Sequence, residues 1–277
     1  MKPRPSGSQE RGFTLIEMLA SLGIFLLVSG AAFTLLTSSQ QRYRTESEVL
    51  TSFQEARLGL DQMVRDINDA GFPPPTFANA DPAKVTTAPF GWSPNYTIPA
   101  PCQIGTGGGG TCITPTDFDI IIETEPNPND LACAPNCSVE WIRYQLQGTT
   151  LMRAVARKQA SHDPAVDTAQ AGFVPFVQNV VNNSPTLQVG QFQLEAAYPL
   201  VFAGGEAVPI FQYICDTPSV PQNPPQPCPL AGPDNAPTNI RDVAITLIVA
   251  APLPDATTGR PRLVQLEGRG RRVNPNQ

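Results

Sequence analysis

The chain opens on a short polar stretch and then turns apolar without interruption. Residues 13–36 hold a single charged side chain, Glu17, and the positions before them carry Lys2, Arg4 and Arg11 against Glu10 alone. Such a run is long enough for a helix to cross a hydrocarbon layer of about 30 Å, and basic residues ahead of it predict a cytoplasmic N-terminus. Polar residues occupy 38–48, and a second pattern follows in which Val49, Phe53, Ala56, Leu60, Met63, Ile67 and Ala70 are spaced alternately by four and three. That spacing predicts a helix with one apolar stripe. No proline interrupts 13–72, so both segments read as one helix over 13–70, stopped by Gly71 with Pro73, Pro74 and Pro75 behind it.

Further along, the period becomes that of strands. Strands are predicted over 118–123, 139–146, 150–155, 173–181, 187–198, 208–214, 240–250 and 262–267, with a hairpin at Gly148 and with Ile142, Tyr144 and Leu146 on one face. The presence of 31 Pro and 21 Gly among 277 residues, only 15% of them charged, adds long loops to this body. The fold class is therefore α+β: a long N-terminal helical stem, membrane-spanning in its first half, packed on a C-terminal antiparallel β-sheet body.

An ordinary secretory signal would also begin with basic residues and an apolar run, and Ser29, Gly30, Ala31 and Ala32 imitate a conventional cleavage site. The residue order at the start of the run argues otherwise. A carboxylate inside an apolar helix is costly, so Glu17 is a functional candidate by default. The string from Gly12 through Phe13, Thr14, Leu15, Ile16, Glu17, Met18, Leu19 and Ala20 to Ser21 resembles the signal of type IV prepilins and type II secretion pseudopilins. The resemblance implies a prepilin peptidase that cuts between Gly12 and Phe13 and methylates the new N-terminal Phe13, with Glu17 recruiting and registering subunits. It also implies a division into a leader (1–12), a transmembrane and filament-core helix (13–36), an amphipathic stem (37–72) and a globular pilin body (73–277).

The stem end, from Glu55 through Arg57, Leu60, Met63, Arg65, Ile67 and Asn68 to Ala70, Gly71 and Phe72, resembles PilW-like minor pilins and J-type pseudopilins. Removing 12 of 277 residues leaves 265, large for a major pilin and suited to a minor subunit. The partners so implied are the prepilin peptidase, other minor pilins and the major pilin, an inner-membrane assembly platform and membrane lipid. The implied location is the inner membrane, single-pass with the body periplasmic, and then a pilus or pseudopilus. Many pilin stems carry a proline where this chain has Thr34, and Gly23, Gly30 and Gly59 are its helix-weak positions.

Charge and rare residues narrow the function. A formal charge of -6 without a long basic tract argues against a dedicated nucleic-acid partner. A ligand-binding pilus tip, an adhesin or DNA receptor, would need a patch to which only Arg269, Arg271 and Arg272 contribute, and these read as a solvated tail. Cys102, Cys112, Cys133, Cys137, Cys215 and Cys228 all follow the apolar segment and fall into three near-neighbour pairs, which suits an oxidising compartment; sequential pairing is one of several possible connectivities. Zinc is disfavoured because the chain has one histidine, His162. Asp117, Asp119, Glu123 and Glu125 could suit calcium, but read as the solvated face of a strand and its exit. The glycines of 105–110 lack the Lys-Ser/Thr of a phosphate-binding loop. No convergent catalytic set is apparent, so neither an enzyme nor a cofactor is expected.

Overall fold

The apolar run and the stripe form one helix, α1 (Leu15–Asn68), starting two residues later and ending two earlier than the sequence pattern suggests. The computed structural model describes residues 12–74, 83–86, 88–91, 114–125, 138–160, 162–189, 191–216, 226–229, 235–255 and 258–272. The chain divides into two units, Met1–Ser47 and Glu48–Gln277. Within the first unit α1 is exposed along its apolar part, from Leu15 to Leu36. It is long and apolar enough to cross a membrane by length and composition.

In the second unit the stripe finds its partners. Ala56, Leu60, Met63, Ile67 and Ala70 are buried in one core with Ile120, Ile122, Ile142, Tyr144, Leu151, Phe211, Tyr213, Val243, Ile245 and Leu247. These come from two antiparallel sheets. The first runs β1 (Asp119–Thr124), β2 (Glu140–Gln147), β3 (Thr150–Arg157) and β4 (Val174–Val177), each strand bonded to the next. Gly148 turns the β2–β3 hairpin at φ 59°, a backbone region open to glycine. α2 (Pro164–Ala171) covers the face of this sheet opposite the core, where Arg143 Nη1 donates to the Ala165 carbonyl at 3.3 Å. This helix escaped the sequence reading, although Asp163 caps it by accepting from the Ala165 and Val166 amides and Pro164 begins it.

A small two-stranded pair, β5 (Gln188–Val189) and β6 (Phe192–Gln193), leads into α3 (Leu194–Ala197). A single strand over 187–198 was expected. The chain turns instead because Leu194 and Tyr198, one helical turn apart, both pack with Val181, Phe202 and Ile248 in a second small core. The remaining sheet orders β7 (Phe211–Cys215), β8 (Ile240–Pro254) and β9 (Pro261–Arg271). A bridge between Val180 and Val249 ties it to the first sheet region.

Close approach of α1 to its surroundings depends on missing side chains. A Cβ at Gly59 would lie 2.4 Å from Val177, and one at Gly270 would lie 2.5 Å from Ile67. One at Gly268 would meet Leu60 at 2.8 Å. Gly59 is therefore a contact surface between helix and β4, whereas its sequence suggested only a weak point in the helix. Gly71, at φ 88°, carries the chain out of the helix, and its amide donates to the Glu123 carbonyl at 2.9 Å.

Candidate functional site

The sequence-predicted site is built on the first turn of α1. Gly12, Phe13 and Thr14 precede the helix without regular structure, and Phe13 is 84% exposed, so the Gly12–Phe13 bond is presented outside the helical hydrogen-bond ladder. Thr14 stands at the helix cap and Glu17 three residues on. The Glu17 carboxylate accepts from the Thr14 amide at 2.9 Å and from its hydroxyl at 3.0 Å, while the Glu17 amide donates to Thr14 Oγ1 at 3.4 Å. This is a reciprocal capping box, which satisfies amides that a helix start would leave orphaned. The Thr-x-x-Glu spacing was visible in the sequence as a signal for it. The consequence is orientation: the only carboxylate of the apolar segment is drawn back toward the N-terminus, onto Thr14.

The second set of charged groups lies in the body, and it pins structure. Asp66 on α1 accepts from Tyr144 Oη at 2.6 Å and from Gln62 at 2.7 Å, and faces Arg153 at 3.4 Å. Burial, and then the Asp66 charge, push the Tyr144 hydroxyl well above its ordinary range. Burial works to lower Arg153, but Tyr144 and Asp66 raise it overall. Glu123, wholly buried, accepts from Lys158 Nζ at 2.9 Å, from the Trp141 indole at 2.9 Å and from the Ala88 amide at 3.2 Å. A buried pair of this kind persists only when its remaining bonds are made, as they are here. Sequence reasoning missed both groups. Their signal was an acid inside each buried arc, Asp66 beside the stem stripe and Glu123 within a strand.

Of the carboxylates considered for calcium, Asp117 is exposed as expected, and the other three are engaged within the fold. Asp119 is taken by Arg143 at 2.6 Å and Gln145 at 2.9 Å, Glu123 by Lys158, and Glu125 by the Ser138 amide at 2.5 Å. The pKa of Asp117 is raised by partial desolvation. Among the described residues no cluster of His, Cys, Asp and Glu could hold a metal. His162 is exposed and lies 3.1 Å from Asp167. The arginines read as a solvated tail are also held: Arg269 and Arg271 sit in β9 over buried Asp242, and Arg272 is buried, donating to the Thr238 and Ile240 carbonyls. Cys215 and Cys228 form a disulfide that fastens the 226–229 segment to the edge of β7. Cys102, Cys112, Cys133, Cys137 and the glycine-rich 105–110 stretch lie outside the described residues.

Comparison with known proteins agrees with the N-terminal site. Residues 7–33 match the family model described as the prokaryotic N-terminal methylation motif. No curated protein and no solved structure gave a significant match. The chain thus carries a prepilin-type methylation motif spanning Gly12, Phe13 and Glu17 at the head of a membrane-length helix, which supports a type IV pilin-like protein.

Proposed function

We propose that the chain is a structural subunit, a minor pilin of the PilW-like kind, anchored in the inner membrane with its body in the periplasm. It is cut after Gly12, methylated at Phe13, and built with other minor pilins into a short complex that primes or caps a type IV pilus. The observation that carries this reading is the methylation motif on residues 7–33, placed on an exposed apolar helix that joins a β-rich body. Cleavage at Gly12 leaves a cationic amine at Phe13, four residues before Glu17, a separation of about 6 Å once the helix extends to the new terminus. A neighbouring copy staggered by that distance sets its amine against this carboxylate, and because both charges lose water the pair defines register more than strength. The peptidase, the major pilin and the assembly platform are the partners this implies, and the body acts in assembly and not in catalysis.

The stem end favours a second reading equally, a J-type pseudopilin of a type II secretion system, which differs in partners and not in chemistry. Sequencing the N-terminus of the protein recovered from sheared filaments, with its copy number relative to the major subunit, tests the proposal. A methylated Phe13 at low copy number is expected. Retention of the first twelve residues, or abundance equal to the major subunit, refutes it.

A further inference from the structure

α1 passes from its apolar to its polar part without a break, and three exposed residues stand just beyond the boundary: Arg42, Tyr43 and Arg44. Tyr43 is 74% exposed. Glu46 and Glu48 lie four residues after the two arginines, yet neither guanidinium is matched with a carboxylate among the described residues. In the body Arg143, Arg153, Arg241, Arg262 and Arg269 each meet an aspartate, whereas Arg57 and Arg65 later in α1 meet none, so position and not pairing distinguishes Arg42 and Arg44.

Position and direction give the two unmatched charges a role. Successive residues turn by about 100°, so Arg42, Tyr43 and Arg44 spread over about 200° of the helix surface, more than half of its circumference, with buried Thr45 on the remaining side. Helical side chains lean toward the N-terminus, which here means back toward the apolar part. Arg42 lies six residues past Leu36, about 9 Å of rise, and its long stem returns the guanidinium to within about 3–5 Å of the apolar boundary. A headgroup layer about 5–7 Å deep occupies that level, and tyrosine is a common residue there.

The spacing to the N-terminal site matches as well. From Glu17 to Arg42 there are 25 positions, about 37 Å of rise, which exceeds a hydrocarbon core of about 30 Å by about 7 Å. With the arginines seated among headgroups on one side, Glu17 falls at the opposite edge of the core, and the Gly12–Phe13 bond lies past it.

We propose that Arg42, Tyr43 and Arg44 form a collar that binds the phosphates of anionic phospholipid and sets the depth at which α1 rests before assembly. The inference rests on the pilin-like reading above and names a lipid contact within it. It fixes Glu17 and the cleavage bond at the far membrane face through the rigid length of the helix between them.

The test uses the full chain in vesicles of phosphatidylethanolamine with or without phosphatidylglycerol, with a reporter tryptophan introduced by Tyr43→Trp or, separately, by Phe25→Trp. Quenching by lipids brominated at different depths is read against the chain without the added tryptophan. The reporter at position 25 should be quenched from the bilayer centre, and the one at position 43 from near the headgroups, more strongly when phosphatidylglycerol is present. Arg42→Gln with Arg44→Gln should abolish that dependence and move the reporter at position 43 away from the headgroup quenchers. Unchanged quenching in the double variant overturns the inference, as does unchanged depth with lost filament incorporation, which assigns the arginines to carboxylates of a second copy. If the reporter at position 25 is not quenched at all, the membrane reading itself fails and the collar with it.

Discussion

The two parts of α1 share a backbone conformation and differ in what satisfies them. Along the first part every large apolar side chain is exposed, and the hydroxyls of Thr34, Thr37 and Ser38 turn inward to the carbonyls of Ala31, Phe33 and Leu35. Nothing lies within 4 Å of a Cβ added at Gly23 or Gly30. Along the second part the stripe is buried from Ala56 onward, Asp66 is bonded across to β2 and β3, and Gly59 has no room for a methyl group. A helix that is apolar all round needs an apolar solvent or copies of itself, whereas a striped helix needs only its own body. Among the described residues the first part is left uncovered, and the partner of the second is encoded within the same chain.

Variants on either side of this contrast should separate assembly from stability. Glu17→Ala is expected to have the largest effect: incorporation into filaments falls to background by immunoblot of the sheared fraction, while urea unfolding of the body is unchanged. A matching loss of body stability would erase the distinction. In the body, Asp66→Ala strands the Tyr144 hydroxyl and Arg153 and should cost about 3 kcal/mol. Urea unfolding of the detergent-solubilised chain, followed through buried Trp141, reads this directly. Opening the disulfide by Cys215→Ser, with a separation of 13 residues, should cost a similar amount, about 3 kcal/mol, in the same assay.

Glycine replacements sharpen the comparison further. Gly270→Ala drives a methyl group into Ile67 and should destabilise the body by about 1–3 kcal/mol. Gly23→Ala meets nothing, adds up to about 1 kcal/mol of helix propensity, and should leave body unfolding unchanged.

The smallest effect is expected at Asp117, which burial raises above its ordinary range. A carboxyl whose folded pKa exceeds its unfolded one holds its proton more tightly when folded. Its favourable contribution is therefore complete below the unfolded pKa and is lost as pH rises through the folded value. Asp117→Asn should stabilise the body slightly at neutral pH, and the gain should disappear in acid where both forms are uncharged. A gain that persists unchanged in acid rules out ionisation as its cause.

Periodicity carried most of what could be read in advance. The stem stripe, the strands β1 to β3 and the inward face of Ile142, Tyr144 and Leu146 are local patterns, and each is present as expected. The strand anticipated over 187–198 failed because Leu194 and Tyr198 serve a core formed with residues distant in sequence. Near the C-terminus Arg269 and Arg271 are solvated as expected but stand in β9 and not in a tail, facing Asp242 of the neighbouring strand β8, and Arg272 is buried.

Taken alone, the order of residues determined the membrane-length helix, the position of Gly12, Phe13 and Glu17 at its head, and the α+β division of the chain. Those properties depend on hydropathy and spacing along a single segment. Only the tertiary structure decided that Glu123 pairs with Lys158, that Asp66 joins stem to sheet through Tyr144, and that glycines in α1 and β9 mark close contacts. Each of these joins groups far apart in the chain, and whether an acid is solvated, paired or buried depends on which surface folding brings against it.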